Sequence, residues 1–349
     1  MNKSQIPKKP TIETVPVSLI VPCLNEATYI EDCLLSLLKG DYPADKLEIL
    51  VLDGMSNDGT REILQKLQTG WPQIKLVDNP GASKPRALNT GIAMAKSEIV
   101  MRIDAHAIYA ANYIKDLVKY LHVLEADNVG GIRLNQTRGT DLIARALAMV
   151  LTHPFGVGDA KHYTGVKEPA ESDIIFLFCV RKSLFDEVGG FDERLIRGQD
   201  REFNLRMKSL GRKMMLCPDV TCTYFTREEI GSFSKWAYDS GVAPFEISRI
   251  IGTNLISFRN LIPPAFVATI LLLPFLALWH SYAGLLLAGL IILYFSIGVL
   301  VSLSSIVKYK DPRFFVILPF CFFLWHFLYR PPGREHRIHN LRHGPGHAR

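Results

Sequence analysis

Two carboxylates stand at the ends of apolar runs, where the strands of a buried sheet would stop. Asp53 closes the run "LEILVLD", and Asp104 closes "EIVMRID", with His106 two positions further along. Past a strand end, Asp104 and His106 can both turn to one divalent cation, and a diphosphate can supply further oxygen ligands. The competing interpretation is a capped loop with an exposed histidine, and an aspartate before a helix, such as Asp53, is often only a cap.

Two other segments carry charge at the start of a predicted helix. "GASKPRALNTG" places Lys84 and Arg86 where cations and free N–H groups suit a diphosphate, although a solvated turn explains the same residues. Asp200 begins a helix whose apolar positions Phe203, Leu205 and Met207 can face the core, so its carboxylate could take a proton from an attacking hydroxyl. A carboxylate favoured by the helix dipole is the alternative.

The elements that must position these residues alternate between strand and helix over about the first 225 residues. The strand patterns "VSLIVPCL", "LEILVLDG", "QIKLVDN" and "EIVMRIDA" are separated by the helix patterns "TYIEDCLLSLLKG", "NDGTREILQKLQTG" and "RALNTGIAMAKS". This order predicts an α/β fold with a mostly parallel sheet and helices on both faces. Ligands bind such sheets beyond the carboxyl ends of the strands, where Asn25, Asp53 and Asp104 stand.

The last third of the chain is strongly apolar. Residues 261–279 and 282–307 lack charges and reach the length of about 20 residues that a membrane span needs, which predicts two spans. A buried helical hairpin is the alternative. The shorter run 314–329 contains His326, so it could be a short span, a re-entrant segment or an interfacial helix, and we favour a segment that does not span.

Composition restricts the remaining possibilities. A chain of 349 residues with 48% hydrophobic and 21% charged residues is globular. The net charge of +6 is modest and partly carried by the C-terminal tail, so we expect contact with anionic lipid headgroups and no nucleic-acid partner. The six cysteines form no CxxC pair, which favours free thiols over disulfides or a zinc site. The first apolar run is too short for a signal peptide, so we expect the N-terminal half to stay in the cytosol.

These patterns predict five parts in the chain. The parts are a polar tail (1–14), a nucleotide-binding domain (15–225), an amphipathic interfacial linker (226–260), a transmembrane region with two spans and the shorter third segment (261–330), and a basic tail (331–349).

Within the nucleotide-binding domain, the segment "HPFGVGDAKHYTG", residues 153–165, is either part of an acceptor pocket or mobile lid, or a plain connecting loop.

Taken in order, four stretches resemble the catalytic domain of glycosyltransferase family 2, which has a GT-A fold, over about residues 15–225. They are "VSLIVPCLNEATYIEDCLLSLL", "LVLDGMSNDGT", "RIDAHA" and "GGFDERLIRGQDREFNLR". Together with "HPFGVGDAKHYT" and "LPFCFFLWHFLY", they are similar more narrowly to membrane glucosyltransferases of the succinoglycan-assembly type, which extend a polyprenyl-linked oligosaccharide.

The resemblance implies a role for each matching position. Asp53 would contact the uridine of a UDP-sugar, and Asp104 would approach the diphosphate and a metal, Mn²⁺ or Mg²⁺. His106 would take the second position beside that metal. Asp200 would be the general base of an inverting transfer. The expected nucleotide-sugar site comprises Pro22, Asn25, Glu26, Asp53, Lys84, Arg86 and Asp104.

Three positions depart from the family pattern. Gly54 directly follows Asp53, where the family usually has a second acidic residue, and this removes one candidate contact to the uracil base. His106 replaces an aspartate, which favours Mn²⁺ over Mg²⁺ or leaves Asp104 as the only protein ligand. Gln199 stands where a glutamate is common, and loss of that charge would make Asp200 easier to ionise.

The motifs also restrict the type of reaction. A processive synthase should carry a Gln-x-x-Arg-Trp stretch, and the sequence contains none. We therefore expect a non-processive hexosyltransferase that moves glucose from UDP-glucose to a polyprenyl-linked glycan at the cytosolic face of the cell membrane. Two alternatives stay open: transfer directly to polyprenyl phosphate, and a membrane-anchored nucleotide- or glycan-binding subunit without turnover.

Overall fold

The computed structural model describes residues 14–158, 161–195, 197–252, 256, 258–329 and 331. Two compact units make up the chain. The first contains the residues up to Arg133 together with Gly165–Tyr224, and the second contains Leu134–Thr164 and the chain from Phe225 onward. A unit boundary therefore lies near the predicted one at residue 225, whereas 134–164, predicted inside the nucleotide-binding domain, is part of the second unit. The predicted tails, 1–14 and 331–349, lie almost wholly outside the described residues.

The first unit is built on a parallel set of four strands. These are β1 (Val17–Cys23), β2 (Leu47–Asp53), β3 (Ile74–Asp78) and β4 (Ile99–Arg102), in the spatial order β3-β2-β1-β4. Strands β1, β2 and β4 are buried along almost their whole length, because helices cover both faces of the sheet. The connecting helices are α1 (Ile30–Leu38), α2 (Thr60–Gly70) and α3 (Lys84–Met94).

The rest of the sheet is largely antiparallel. It comprises β5 (Ala107–Tyr109), β6 (Asn128–Gln136), β7 (Ala170–Glu171), β8 (Cys179–Arg181) and β9 (Met214–Phe225). Strand β8 runs antiparallel to β4 and β6, and β5 and β7 run antiparallel to β9. The predicted α/β fold is confirmed, but the sheet is mixed. A helical crossover makes the two strands that it joins parallel. Strand β8 instead follows a long connection through residues 134–164, and such a connection allows β8 to run in either direction relative to its neighbours.

Alternate residues of the strands supply the two apolar cores of this unit. Leu19 and Val21 of β1 face one core with α1, α2 and α4 (Tyr113–Val123), while Ile20 faces the other. The second core also contains α3, α8 (Leu184–Val188) and α9 (Gln199–Ser209). Helix α3 lies so close to β1 that a Cβ at Gly91 would come within 2.5 Å of Ile20 Cγ2. Only glycine fits this crossing without a shift.

The second unit is helical. Its helices are α5 (Leu142–Val150), α6 (Pro154–Val157), α7 (Lys161–Thr164), α10 (Ile230–Ile251), α11 (Phe258–Ala277), α12 (Ser281–Tyr309) and α13 (Phe314–Leu328). In the described part of the chain, Asn260–Ala277 and Ser281–Tyr309 are the two helices long and apolar enough to cross a membrane, and they match the predicted spans. Helix α10 occupies most of the predicted interfacial linker.

Helix α13, which covers the third apolar run, has one buried face. Phe314, Leu318 and Phe322 are fully buried in a cluster with α5 and α10. The N-terminal half of the "HPFGVGDAKHYTG" segment packs here as well, since Trp325 Nε1 donates to the carbonyl oxygen of Gly156 at 2.9 Å. At 15 residues α13 is shorter than a typical membrane span. Burial of one face accounts for many of its apolar residues.

Candidate active site

The carboxyl ends of the parallel strands bring the predicted polar residues to one edge of the sheet. Asp53 is the last residue of β2 and pairs in register with Asp78 at the end of β3. Arg102 ends β4, and Asp104 follows it in the loop to β5. This edge is the ligand-binding position expected for an α/β sheet.

Asp104 is fully buried and surrounded by donors. Its Oδ1 accepts from Arg102 Nε at 3.0 Å and from Lys84 Nζ at 3.2 Å. Its Oδ2 accepts from Arg102 Nη2 at 3.3 Å and from the Tyr224 hydroxyl at 3.0 Å. The Arg102 guanidinium and the Lys84 ammonium overcome the effect of burial and hold the pKa of Asp104 well below its usual range. Asp104 is therefore an ionised carboxylate that already contacts two cations.

Arg102 also connects Asp104 with Asp200. Its Nη1 contacts Asp200 Oδ1, so a single buried guanidinium bridges carboxylates that lie almost a hundred positions apart in the sequence. The Phe176 ring stacks on this guanidinium, with 4.7 Å from Arg102 Cζ to the ring centroid. Sequence reasoning did not assign a role to Arg102. The available signal was its position two residues before Asp104, which puts both side chains on one face of an extended segment.

Helix α9 places Asp200 in its first turn. Gly198, at φ +78°, caps this helix in the left-handed conformation. Phe203 and Met207, further along the same side of the helix, lie in the core, as predicted, whereas Leu205 is only partly buried. Burial raises the pKa of Asp200, and the Arg102 guanidinium acts in the opposite direction. A carboxylate with a raised pKa is a better proton acceptor once it is ionised.

His106 has a partner on each ring nitrogen. Its Nδ1 lies 2.8 Å from Glu26 Oε1, and its Nε2 lies 2.7 Å from the Tyr224 hydroxyl oxygen. To bind a metal, the imidazole would have to give up one of these hydrogen bonds. Within the described residues, no three His, Cys, Asp or Glu side chains are grouped so as to hold an ion. The assignment of His106 as a metal ligand therefore stays a prediction.

Asp53 is buried and accepts hydrogen bonds from the loop and the helix that follow it. It accepts from the Ser56 amide at 3.0 Å, from the Ser56 hydroxyl at 2.5 Å and from Arg61 Nη1 at 2.7 Å. Arg61 Nη2 donates in turn to Asp78 at 2.8 Å, and the Asp78 side chain is 60% exposed. Asp53 thus contacts Ser56 and Arg61, while the Asp78 carboxylate, also paired with Arg61, is the more exposed of the two aspartates. Sequence reasoning did not single out Arg61 or Asp78, although Asp78 ends a strand as Asp53 does.

The other residues predicted for the nucleotide-sugar site also lie in the first unit. Pro22 is in β1, and Asn25, at φ +54°, begins the loop that contains Glu26. The Asn25 side-chain carbonyl accepts from the Asn57 amide at 3.0 Å, which connects this loop to the one after β2. Arg86 is exposed in the first turn of α3. Residues 153–157, predicted as an acceptor pocket or a connecting loop, belong to the second unit.

Comparison with known proteins agrees with this geometry. The Glycosyl transferase family 2 profile matches residues 18–189. The succinoglycan biosynthesis protein ExoA of Rhizobium meliloti is 33% identical over 61% of this chain and 64% of its own length, so the aligned region is slightly under two thirds of that relative. A Methanococcus voltae enzyme is 26% identical over 89% of this chain and 94% of its own length. It is named as a dolichyl N-acetyl-α-D-glucosaminyl phosphate 3-β-D-2,3-diacetamido-2,3-dideoxy-β-D-glucuronosyltransferase.

Solved structures show the same fold. A mannosyltransferase from Pyrobaculum calidifontis, in complex with GDP-Man and Mn²⁺, superposes with a TM-score of 0.53 at 21% identity, over 90% of this chain and 86% of that one. TarS of Staphylococcus aureus, residues 1–349 in complex with UDP-GlcNAc, superposes with a TM-score of 0.50 at 23% identity, over 68% of this chain and 65% of that one. The fold expected from the sequence motifs is thereby confirmed, and residues 18–189, just under half of the chain, are a glycosyl transferase family 2 domain.

Proposed function

We propose that the chain is an inverting, metal-dependent, non-processive hexosyltransferase that acts on a lipid-linked glycan at the cytosolic face of the cell membrane. The observation that carries the proposal is the bridge from Asp104 through Arg102 to Asp200. It joins the carboxylate expected beside the diphosphate to the carboxylate expected to act as base. One side chain thereby sets the separation between the donor and acceptor ends of the site.

Different residues of the chain would accept the proton and bind the leaving group during the transfer. Asp200 takes the proton of the acceptor hydroxyl, whose oxygen forms the new bond to the anomeric carbon as the bond to the nucleoside diphosphate breaks. Lys84 and Arg86, at the start of α3, bind the departing diphosphate with their cationic side chains, and the Lys84 N–H adds a backbone donor. Attack opposite the leaving group inverts the anomeric carbon, so an α-linked donor would give a β-linked product.

The donor set fits a divalent cation that is shared with the substrate. Oδ1 of Asp104 already faces a cation, the Lys84 ammonium, at 3.2 Å. Asp104 would hold Mn²⁺ or Mg²⁺, with His106 as a second ligand if its ring releases Tyr224, and diphosphate oxygens would complete the coordination. The bound metal would supply charge stabilisation for the departing diphosphate.

Two observations support a lipid-linked acceptor and a membrane location. The Methanococcus voltae relative, named for a dolichyl phosphate-linked sugar, aligns over 89% of this chain, which includes a large part of the apolar helices. Helices α11 and α12 expose many large apolar side chains, as helices in contact with lipid do. The similarity to the succinoglycan biosynthesis protein supports exopolysaccharide assembly as the process, and UDP-glucose, the donor expected from the sequence motifs, is the first donor to test.

The test is release of nucleoside diphosphate by the detergent-solubilised full chain. UDP-, GDP- and dTDP-sugars are supplied with Mn²⁺, with and without a polyprenyl-diphosphate oligosaccharide extract, and polyprenyl phosphate replaces the extract in a third arm. We expect UDP release that needs both metal and extract. Release with polyprenyl phosphate alone would contradict the glycan acceptor and favour direct transfer to the lipid. A folded protein that binds UDP but releases none from any donor would refute the transferase and favour the binding subunit.

A further inference from the structure

We propose that the Lys84 ammonium occupies the cation position of Asp104 in the nucleotide-free protein and must leave before a divalent metal binds there. Metal and nucleotide would then bind together, because the nucleotide diphosphate offers Lys84 another partner. This inference rests on the proposed function and adds an order of binding to it.

The Asp104 carboxylate has no free position in this state. A carboxylate offers about four lone-pair sites, and four donors approach Asp104. Arg102 supplies two of them, at 3.0 and 3.3 Å, Lys84 supplies one at 3.2 Å, and the Tyr224 hydroxyl supplies the fourth at 3.0 Å. A metal ion can reach an Asp104 oxygen only after one donor withdraws.

Lys84 is the donor best able to withdraw. The Arg102 side chain is fully buried, holds Asp104 through two N–H groups and is fixed at its other end by Asp200. The Tyr224 hydroxyl also contacts His106, and its ring lies against Arg133. The Lys84 side chain is 34% exposed and makes its contact as a point charge on a flexible stem. Its departure breaks one ion pair and leaves the buried Asp104 carboxylate with both of its contacts to Arg102.

The released ammonium has a destination at the same edge of the sheet. Lys84 is the first residue of α3, and its own N–H is the first-turn amide left for a ligand, because Pro85 has no N–H and the Ser83 hydroxyl accepts from the Arg86 amide. A nucleoside diphosphate bound there would attract both the ammonium and the metal. Because coupling between two ligands is reciprocal, a nucleotide that draws Lys84 away must raise the affinity for the metal, and the metal must raise the affinity for the nucleotide.

The experiment measures Mn²⁺ binding to the full chain in detergent, from the electron paramagnetic resonance signal of free Mn²⁺, with and without UDP. In the wild type we expect weak binding of Mn²⁺ alone and an affinity about tenfold higher with UDP, within the usual range of coupling between sites. Lys84→Met has nearly the same shape without the charge. It should bind Mn²⁺ about tenfold more tightly than wild type without nucleotide, and UDP should then raise the affinity by a smaller factor than in wild type.

Two further variants separate displacement from a general effect of charge. Lys96→Met removes an exposed cation just beyond the other end of α3, so its Mn²⁺ affinity should stay close to that of wild type. Adding Asp104→Asn to Lys84→Met should abolish the gain. The proposal is overturned if Lys84→Met binds Mn²⁺ no more tightly than wild type, if Lys96→Met gains as much, or if the gain survives in the double variant. Thermal melting of each variant checks folding.

Failure of this inference is distinguishable from failure of the proposed function. The Mn²⁺ comparison between wild type and Lys84→Met requires neither donor nor acceptor. Turnover with unchanged Mn²⁺ affinities would refute the role of Lys84 and leave the transferase standing. Absence of UDP binding and turnover would refute the transferase whatever the Mn²⁺ affinities are.

Discussion

At the scale of single residues, the proposed reaction depends on Asp200 as an ionised carboxylate. Asp200→Asn keeps the shape and a contact for Arg102 but cannot accept the proton, so turnover should fall by about 10²- to 10⁴-fold, the usual contribution of a general base. UDP affinity, measured by calorimetry, should change little. Asp173→Asn is the matched control, because Asp173 is an exposed aspartate of the same unit that pairs with Lys208 at the surface. Equal losses in both variants would argue against a catalytic role.

The pH dependence of turnover follows from the same side chain. Burial raises the pKa of Asp200 above 3.8, with Arg102 opposing. A base works only when ionised, so kcat should be constant above that raised pKa and fall as the pH drops through it. The check is a pH profile of kcat for wild type and Asp173→Asn, which should share the acid limb. A profile that stays flat down to pH 3.8, in protein still folded by circular dichroism, would contradict this assignment.

At the scale of elements, the site is held in place by the close crossing of α3 on β1. A Cβ at Gly91 would meet Ile20 Cγ2 at 2.5 Å, whereas a Cβ at Gly70, the last residue of α2, would meet nothing within 4 Å. Gly91→Ala should therefore destabilise the first unit by about 1 to 3 kcal/mol through overpacking. Gly70→Ala should be neutral or stabilising, by at most about 1 kcal/mol, because alanine is the better helix former. Chemical denaturation compares the two, and equal stabilities would refute the close crossing.

At the scale of the whole molecule, the apolar surface of α12 implies a lipid environment. Leu293 lies near the middle of this helix and is 60% exposed, and Val307 lies next to Lys308 near its end and is 79% exposed. Leu293→Arg should cost about 2.5 to 3.5 kcal/mol of insertion and reduce the carbonate-resistant membrane fraction. Val307→Arg should be tolerated, because an arginine near a helix end reaches the interface. An unchanged membrane fraction for Leu293→Arg would contradict a membrane-spanning α12.

The sequence by itself determined the local features of this protein. Apolar runs with flanking turn residues predicted β1 to β4 and the helices between them, because such patterns follow from burial on each side of a sheet. Uncharged runs of sufficient length predicted α11 and α12. The positions of Asp53 and Asp104 at strand ends followed from the same patterns, since each stands where an apolar run stops.

Only the tertiary structure decided which partners these residues have. Arg102 contacts Asp200 across almost a hundred positions, His106 lies between Glu26 and Tyr224, and no spacing rule relates such distant residues. The sequence patterns also did not predict the antiparallel half of the sheet, because the long connection before β8 allows that strand to run in either direction. Whether a carboxylate faces a cation, a hydroxyl or open space depends on how separate elements pack, and that packing is set by the whole core.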